Sequence, residues 1–295
     1  MTALMTTHEF EVELPGPLDV AASVERFRRW GDDLVDRWDG RTLVRVLHLP
    51  EALAFAAEPI GAVERPRLRV RIASEADEAA VEGALRGMFV QADLGCLVEA
   101  DPAVARADAR FPGLRPVLER DPLTALVRSI SAQQINLAFA AVVRRRLAQA
   151  FGRRHAIAGF EVWSLDVERL AAASPAAIRE LQFTTRKAEY IVGVAQRIAA
   201  NPGHFHELEA LPDDEVIVRL TALPGIGRWS AEWYLARTLG RPVVAAGDLG
   251  VRKAVGQGYF GGRMPSEAEV RQATAHWGAA AGVAQQLLLD DLYTP

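Results

Sequence analysis

The spacing of apolar residues divides this chain into two regimes. Up to about residue 97, Glu9 to Leu14, Leu43 to Leu49 and Leu68-Arg69-Val70-Arg71-Ile72 alternate apolar and polar positions, the period of strands with one wetted face. Helical spacing fills Asp19 to Trp38 and Ser74 to Leu97. A small antiparallel sheet with two helices on one face is expected for residues 1–97.

From Pro102 onward the apolar period becomes that of helices, and start and stop signals delimit them. Asp121-Pro122 joins a capping carboxylate to a proline at the first helical position, where no N–H is needed. That helix should stop near Ser131-Ala132-Gln133-Gln134, and a second should run from the cap Asn136 to Phe151, with Gly152 ending it. Ser174-Pro175 and Thr184-Thr185 open two more, and Ser266-Glu267-Ala268-Glu269 has the spacing of a capping box. Further helices are expected over Asp213 to Ala222, Arg228 to Leu239 (with Gly240 as terminator) and Ala281 to Tyr293. The expected class is α+β: the sheet unit, a helical unit of residues 122–239, and a second helical unit of residues 98–121 plus 240–295.

Composition changes the picture in two respects. Half of the 295 residues are hydrophobic, enough for a sizeable core, yet no apolar run reaches the roughly 18 residues of a membrane span. The chain start also lacks the basic-then-apolar order of a secretory leader, so a soluble cytoplasmic protein with no membrane partner is expected. A single cysteine, Cys96, forms no intrachain disulfide and no four-cysteine iron–sulfur cluster; the six histidines show no zinc spacing.

A net charge of −4 argues against binding a polyanion by wholesale charge neutralisation. Two features offset this: backbone N–H groups hold phosphates without adding charge, and basic residues cluster locally at Arg144-Arg145-Arg146, Arg153-Arg154 and Arg186-Lys187. Between two helical patterns, Leu223-Pro224-Gly225-Ile226-Gly227-Arg228-Trp229 reads as a tight helical hairpin. Its glycines reach backbone angles closed to bulkier residues and leave the second helix's first N–H groups bare, a ready anion site. Gly247-Asp248 then places a carboxylate one loop further on. Asp248 has two readings, a plain helix N-cap or a carboxylate that stabilises positive charge developing on a sugar.

These residues resemble the helix-hairpin-helix DNA glycosylase superfamily, and most nearly its bacterial 3-methyladenine DNA glycosylase II type; the likeness runs from about residue 9 to Tyr293. The resemblance implies a monofunctional glycosylase of base excision repair. It would hydrolyse the N-glycosidic bond of alkylated bases in duplex DNA, leave an abasic site and act as a nucleoid-associated monomer. Asp248 maps to the superfamily's catalytic aspartate. Trp229 stands where strand-cutting members carry a lysine, so no Schiff base can form there. Trp229, Trp233, Tyr293 and Phe27 map to base-pocket aromatics, whose faces would attract cationic alkylpurines; core packing is the other reading of Trp229. No cofactor is implied for catalysis, but a Na⁺ or K⁺ at the hairpin would be held by main-chain oxygens of Thr221, Leu223 and Ile226.

DNA contacts are implied for Pro224, Gly225, Ile226, Gly227 and Arg228. Gln134, with Gln133 or Ile135 beside it, would fill the gap left by an extruded base; a polar helix break without a role is the alternative. Arg186 and Lys187 read first as a solvated helix face and second as phosphate contacts. Leu292 departs from the subfamily, which shows tryptophan there, so the pocket is expected to lose an aromatic wall. Glu232, Asp290 and Asp291 add negative charge near the mapped site, favouring a cationic base if they face it and otherwise standing as exposed helix carboxylates. Two other functions stay open: a glycosylase for deaminated or other neutral bases, with Glu232 as proton donor, and an inactive damage-binding protein.

Overall fold

A computed structural model describes residues 7–49 and 51–294; residues 1–6, 50 and 295, which fall within the first and last expected units, lie outside the described residues. A five-stranded antiparallel sheet opens the chain, built from β1 (His8–Glu13), β2 (Arg37–Trp38), β3 (Leu43–His48), β4 (Ala52–Ala62) and β5 (Arg65–Ile72) in the order β1-β5-β4-β3-β2. The β1–β5 register pairs Phe10 with Val70 and Val12 with Leu68, so the alternation keeps Leu68, Val70 and Ile72 buried. Arginines and glutamates take the other face, where Arg67 and Glu11 pair at 2.7 Å. Val24, Phe27, Val81 and Leu85 from the covering helices close one apolar core against the sheet.

Four local outcomes differ from the sequence pattern, one being Ser74 to Leu97, which is helical only over Glu75–Asp77 and Glu78–Arg86 and again from Gly95. Strand β4 is central in the sheet, yet its run Ala52 to Ala62 is built largely from alanine with Pro59 and Gly61, so no strong alternation announces it. Asp19 to Trp38 is not one helical stretch. It forms Val20–Val24 and Arg26–Arg29 and then irregular backbone, because Asp32 and Asp33 accept N–H bonds from Leu34, Val35 and Asp36 in place of helical carbonyls. After Gly152 the chain enters a hairpin of β6 (Gly152–Ile157) and β7 (Phe160–Leu165), turning through Ala158 and Gly159 at positive φ.

That hairpin disperses the expected basic patch. Arg153 pairs with Asp166 and Arg154 with Glu161, while Arg144 turns inward to Asp33 at 2.9 Å. The remaining chain is helical. Pro122–Ala132 is capped by Asp121, and Leu137–Phe151 by Asn136 with a 2.7 Å bond from the Phe139 N–H. Arg228–Arg237 ends two residues before the expected Leu239, and Ser266 completes the capping box. Three further apolar cores form, one reaching from Leu123 to Leu235, one from Leu94 to Leu289 and a small one joining Val44 and Ala56 to Ile157 and Val162. Among the described residues no helix is long and apolar enough to cross a membrane, and no cluster of His, Cys, Asp or Glu suits a metal ion.

Candidate active site

The turn between the helices Asp213–Thr221 and Arg228–Arg237 depends on two glycines. Gly225 has φ +83°, and a Cβ there would stand 2.1 Å from the nearest atom of the Tyr190 ring. Gly227 caps the second helix with no side-chain acceptor, so the first-turn N–H groups remain for an outside oxygen. Pro224 and Arg228 are exposed at this turn and Ile226 is buried beneath it. The Ile226 N–H takes one lone pair of the Leu223 carbonyl at 3.1 Å. The Thr221 hydroxyl is folded back onto Ile217 and Val218, away from its own turn. The carbonyls of Thr221, Leu223 and Ile226 are neutral oxygen donors, a set whose chemistry fits a hard monovalent cation.

Asp248 is both the N-cap of a helix and a carboxylate at the edge of a cavity. Its Oδ1 accepts the Val251 N–H at 3.0 Å and so caps the helix Leu249–Tyr259. Its Oδ2 accepts the indole N–H groups of Trp229 at 2.7 Å and of Trp233 at 3.2 Å. The two indoles reach one oxygen because they lie four residues apart on one helix face. The carboxylate is half-buried and borders a cavity of about 280 Å³, near the lower end of the roughly 300–1,000 Å³ typical of small-molecule sites.

Trp229, Trp233, Tyr293 and Phe27 all line this cavity. The cavity also gains a ring that no periodicity flagged: Trp30 stands edge-on to Tyr293, centroids 5.4 Å apart. Leu292 packs into the second helical core instead, so the tryptophan missing at that position leaves no hole in this wall. Gly250 is a second residue without a sequence signal. A Cβ there would stand 2.6 Å from the Tyr293 hydroxyl and 3.1 Å from Asp248 Oδ1, so only hydrogen leaves both groups in place.

Behind the aromatics lies a buried charge network. Arg128 pairs with Asp33 at 3.0 Å and Asp36 at 2.5 Å, and Arg45 bridges Asp36 and Glu119. Burial alone would raise Asp36, but Arg128 and Arg45 outweigh it and hold the carboxyl at about 2. Glu119 goes the other way: burial, with the Asp36 charge beside it, pushes it up to about 8. Phe27 packs within this network, with the Arg45 guanidinium 5.3 Å from its ring centre.

Several expected roles are corrected. Glu232 is 1% exposed, outside the cavity wall, and tied to Arg228 at 2.9 Å and Arg271 at 2.5 Å; it is no proton donor to a bound base. Asp290 is buried against Arg29 at 2.6 Å, and Asp291 pairs with Arg110, so neither lines the cavity. Lys187 belongs to no solvated face. Its buried ammonium donates to the Ser131 carbonyl at 2.9 Å and the Gln133 carbonyl at 2.7 Å, closing the end of the helix Pro122–Ala132. Arg186 is exposed. In the loop itself Gln134 is exposed at φ +53°, Ile135 is half-buried, and Gln133 donates to the Gly225 carbonyl at 2.8 Å.

The model of the HhH-GPD superfamily base excision DNA repair proteins matches residues 127–279, just over half of the chain. The chain is 28% identical over 183 residues to a DNA-3-methyladenine glycosylase of Bacillus subtilis, covering 61% of this chain and 60% of that protein. It is 30% identical over 176 residues to DNA-3-methyladenine glycosylase 2 of Escherichia coli, covering 59% and 61%. The matched stretch thus spans about three fifths of these relatives' length. Among solved structures, a 3-methyladenine DNA glycosylase from Archaeoglobus fulgidus superposes with a TM-score of 0.83 at 26% identity, over 96% of this chain and 98% of that one. The chain belongs to the HhH-GPD superfamily of base excision DNA repair proteins.

Proposed function

We propose that this protein is a monofunctional DNA glycosylase that hydrolyses the N-glycosidic bond of alkylated bases, 3-methyladenine and 7-methylguanine types, in duplex DNA. The observation that carries the reading is the placement of Asp248, a carboxylate held by three N–H groups at the edge of an aromatic cavity large enough for one base. The three donors favour the anionic form and fix its direction, leaving a lone pair of Oδ1 for the reaction. Breaking the C1′–N bond sends its electron pair to the departing base and leaves positive charge on the sugar, which the carboxylate stabilises. Water then adds to C1′ and yields its proton to Asp248 or solvent. A cationic alkylated base leaves neutral and needs no acid. The names of the relatives support this substrate class.

Duplex DNA would be gripped by the uncapped N–H groups after Gly227, with a monovalent cation at the turn and Gln134 occupying the gap in the stack, by a monomer. The placement of the amines supports a reaction without strand cleavage. The chain has two lysines; Lys187 is engaged with two carbonyls, Lys253 is exposed, and neither lines the cavity.

Asp248→Asn is expected to abolish base release from methylated duplexes while DNA affinity stays within about threefold, since the amide is isosteric. Near-normal single-turnover rates in that variant would remove Asp248 from the mechanism. In the same assay borohydride should trap no protein–DNA adduct; a trapped band would establish an amine nucleophile.

A further inference from the structure

Two arginines in the cavity wall lack the anions that satisfy their neighbours. Trp229, Trp233 and Arg237 follow one another at intervals of four along the second hairpin helix, so Arg237 continues the face that meets Asp248. Its guanidinium lies 5.1 Å from the Trp233 ring centre, and Nη2 donates to the Gln286 side-chain oxygen. Nη1 is buried with no hydrogen-bond partner. Arg26, in the same wall, makes no hydrogen bond or ion pair among the described residues and rests 5.8 Å from the Phe27 ring centre.

The nearby carboxylates are already committed. Asp33 pairs with Arg128 and Arg144, Asp36 with Arg45 and Arg128, and Asp290 with Arg29, while Asp248 Oδ2 holds the two indoles. Arg26 and Arg237 also repel one another, and burial outweighs the help that Arg237 receives from Asp290 and Asp248. The cavity therefore presents N–H donors in excess of its acceptors. A buried donor without a partner is unfavourable until an acceptor arrives.

We infer that Arg237, together with Arg26, donates to a carbonyl oxygen of the extruded base, so that the cavity selects purines bearing an oxo group over those bearing an amino group. The inference rests on the glycosylase reading and deepens it. In 7-methylguanine N7 is blocked by its methyl group and O6 is the acceptor offered to a guanidinium, whereas the adenine 6-amino group places donor against donor there. Positive charge on the ring does not separate the two classes, because 7-methylguanine and 3-methyladenine are both cationic. Only the 6-substituent pattern does.

The test measures single-turnover release of 7-methylguanine and 3-methyladenine from duplexes that each hold one lesion, for the intact protein, Arg237→Gln and Arg26→Gln. The intrinsic lability of each lesion cancels when each variant is compared with the parent on the same lesion. Loss of a dedicated donor is expected to slow 7-methylguanine release about tenfold or more, with 3-methyladenine changed less than about threefold. Arg26→Gln provides an independent variant should Arg237→Gln disturb the helix. Parallel losses on both lesions, or no change on either, would overturn the selection. Failure of the intact protein to release either base would instead overturn the glycosylase reading.

Discussion

Asp248 divides its oxygens between the helix it starts and the two indoles that face it. Trp229 is thus more than a ring in the cavity wall. Trp229→Phe keeps the ring and removes the shorter N–H bond to the carboxylate, an interaction of about 1.5–3 kcal/mol when one partner is charged. Single-turnover base release should fall about 10- to 100-fold with DNA affinity within a few-fold; an unchanged rate would show that Trp233 alone positions Asp248. Asp248, Trp229 and Trp233 were legible in the sequence through the family resemblance, with helix spacing adding that the two tryptophans share one face. Trp30 sits where backbone geometry follows aspartate turns, and Arg237 gains its character only once distant carboxylates have found other partners. Neither condition leaves a local mark. Glu232 misled because its charge was visible while Arg271, 39 residues away, was not a predictable neighbour.

At the scale of elements, the hairpin was legible and the sheet partly so. Strands with large alternating residues, β1, β3 and β5, stood out; β4 did not, because alanine packs between neighbours without a hydrophobic signature. The same contrast applies to β6 and β7, whose hairpin packs on distant chain: the Trp163 backbone N–H donates to the Leu34 carbonyl at 2.8 Å, a contact 129 residues apart in sequence. The turn at Gly225 is the element most sensitive to one atom. Gly225→Ala adds a methyl against the Tyr190 ring in a left-handed conformation, and either the turn or the ring must move. Thermal or chemical denaturation should show a loss of about 1–3 kcal/mol, accompanied by weaker binding to undamaged duplex DNA. Retained DNA affinity would mean that the turn does not hold the strand.

For the whole molecule, the buried network of Asp33, Asp36, Arg45, Glu119 and Arg128 joins the sheet unit to the helices, and it titrates unevenly. Glu119 is raised in the folded protein from 4.5 to about 8, so the native state binds more protons than the unfolded chain between those values. Stability from this group is therefore present below about pH 4.5 and is lost as pH rises through about 8, with a slope of up to ~1.4 kcal/mol per pH unit. Asp36, held down at about 2, acts oppositely: its contribution is present above 3.8 and disappears as pH falls through about 2. Glu119→Gln should flatten the denaturation midpoint between pH 5 and 8, and an unchanged slope would place the titrating group elsewhere.

Gln133 is bonded to the Gly225 carbonyl, and Lys187 clasps the carbonyls of Ser131 and Gln133, so the loop that carries Gln134 and the turn at Gly225 are tied together as a single jaw. Under the proposed function, such a jaw bites and interrogates in the same stroke. Travel along intact DNA then requires releasing both at once, and lengthening the chain between Gln133 and Asn136 would uncouple the search from the hold.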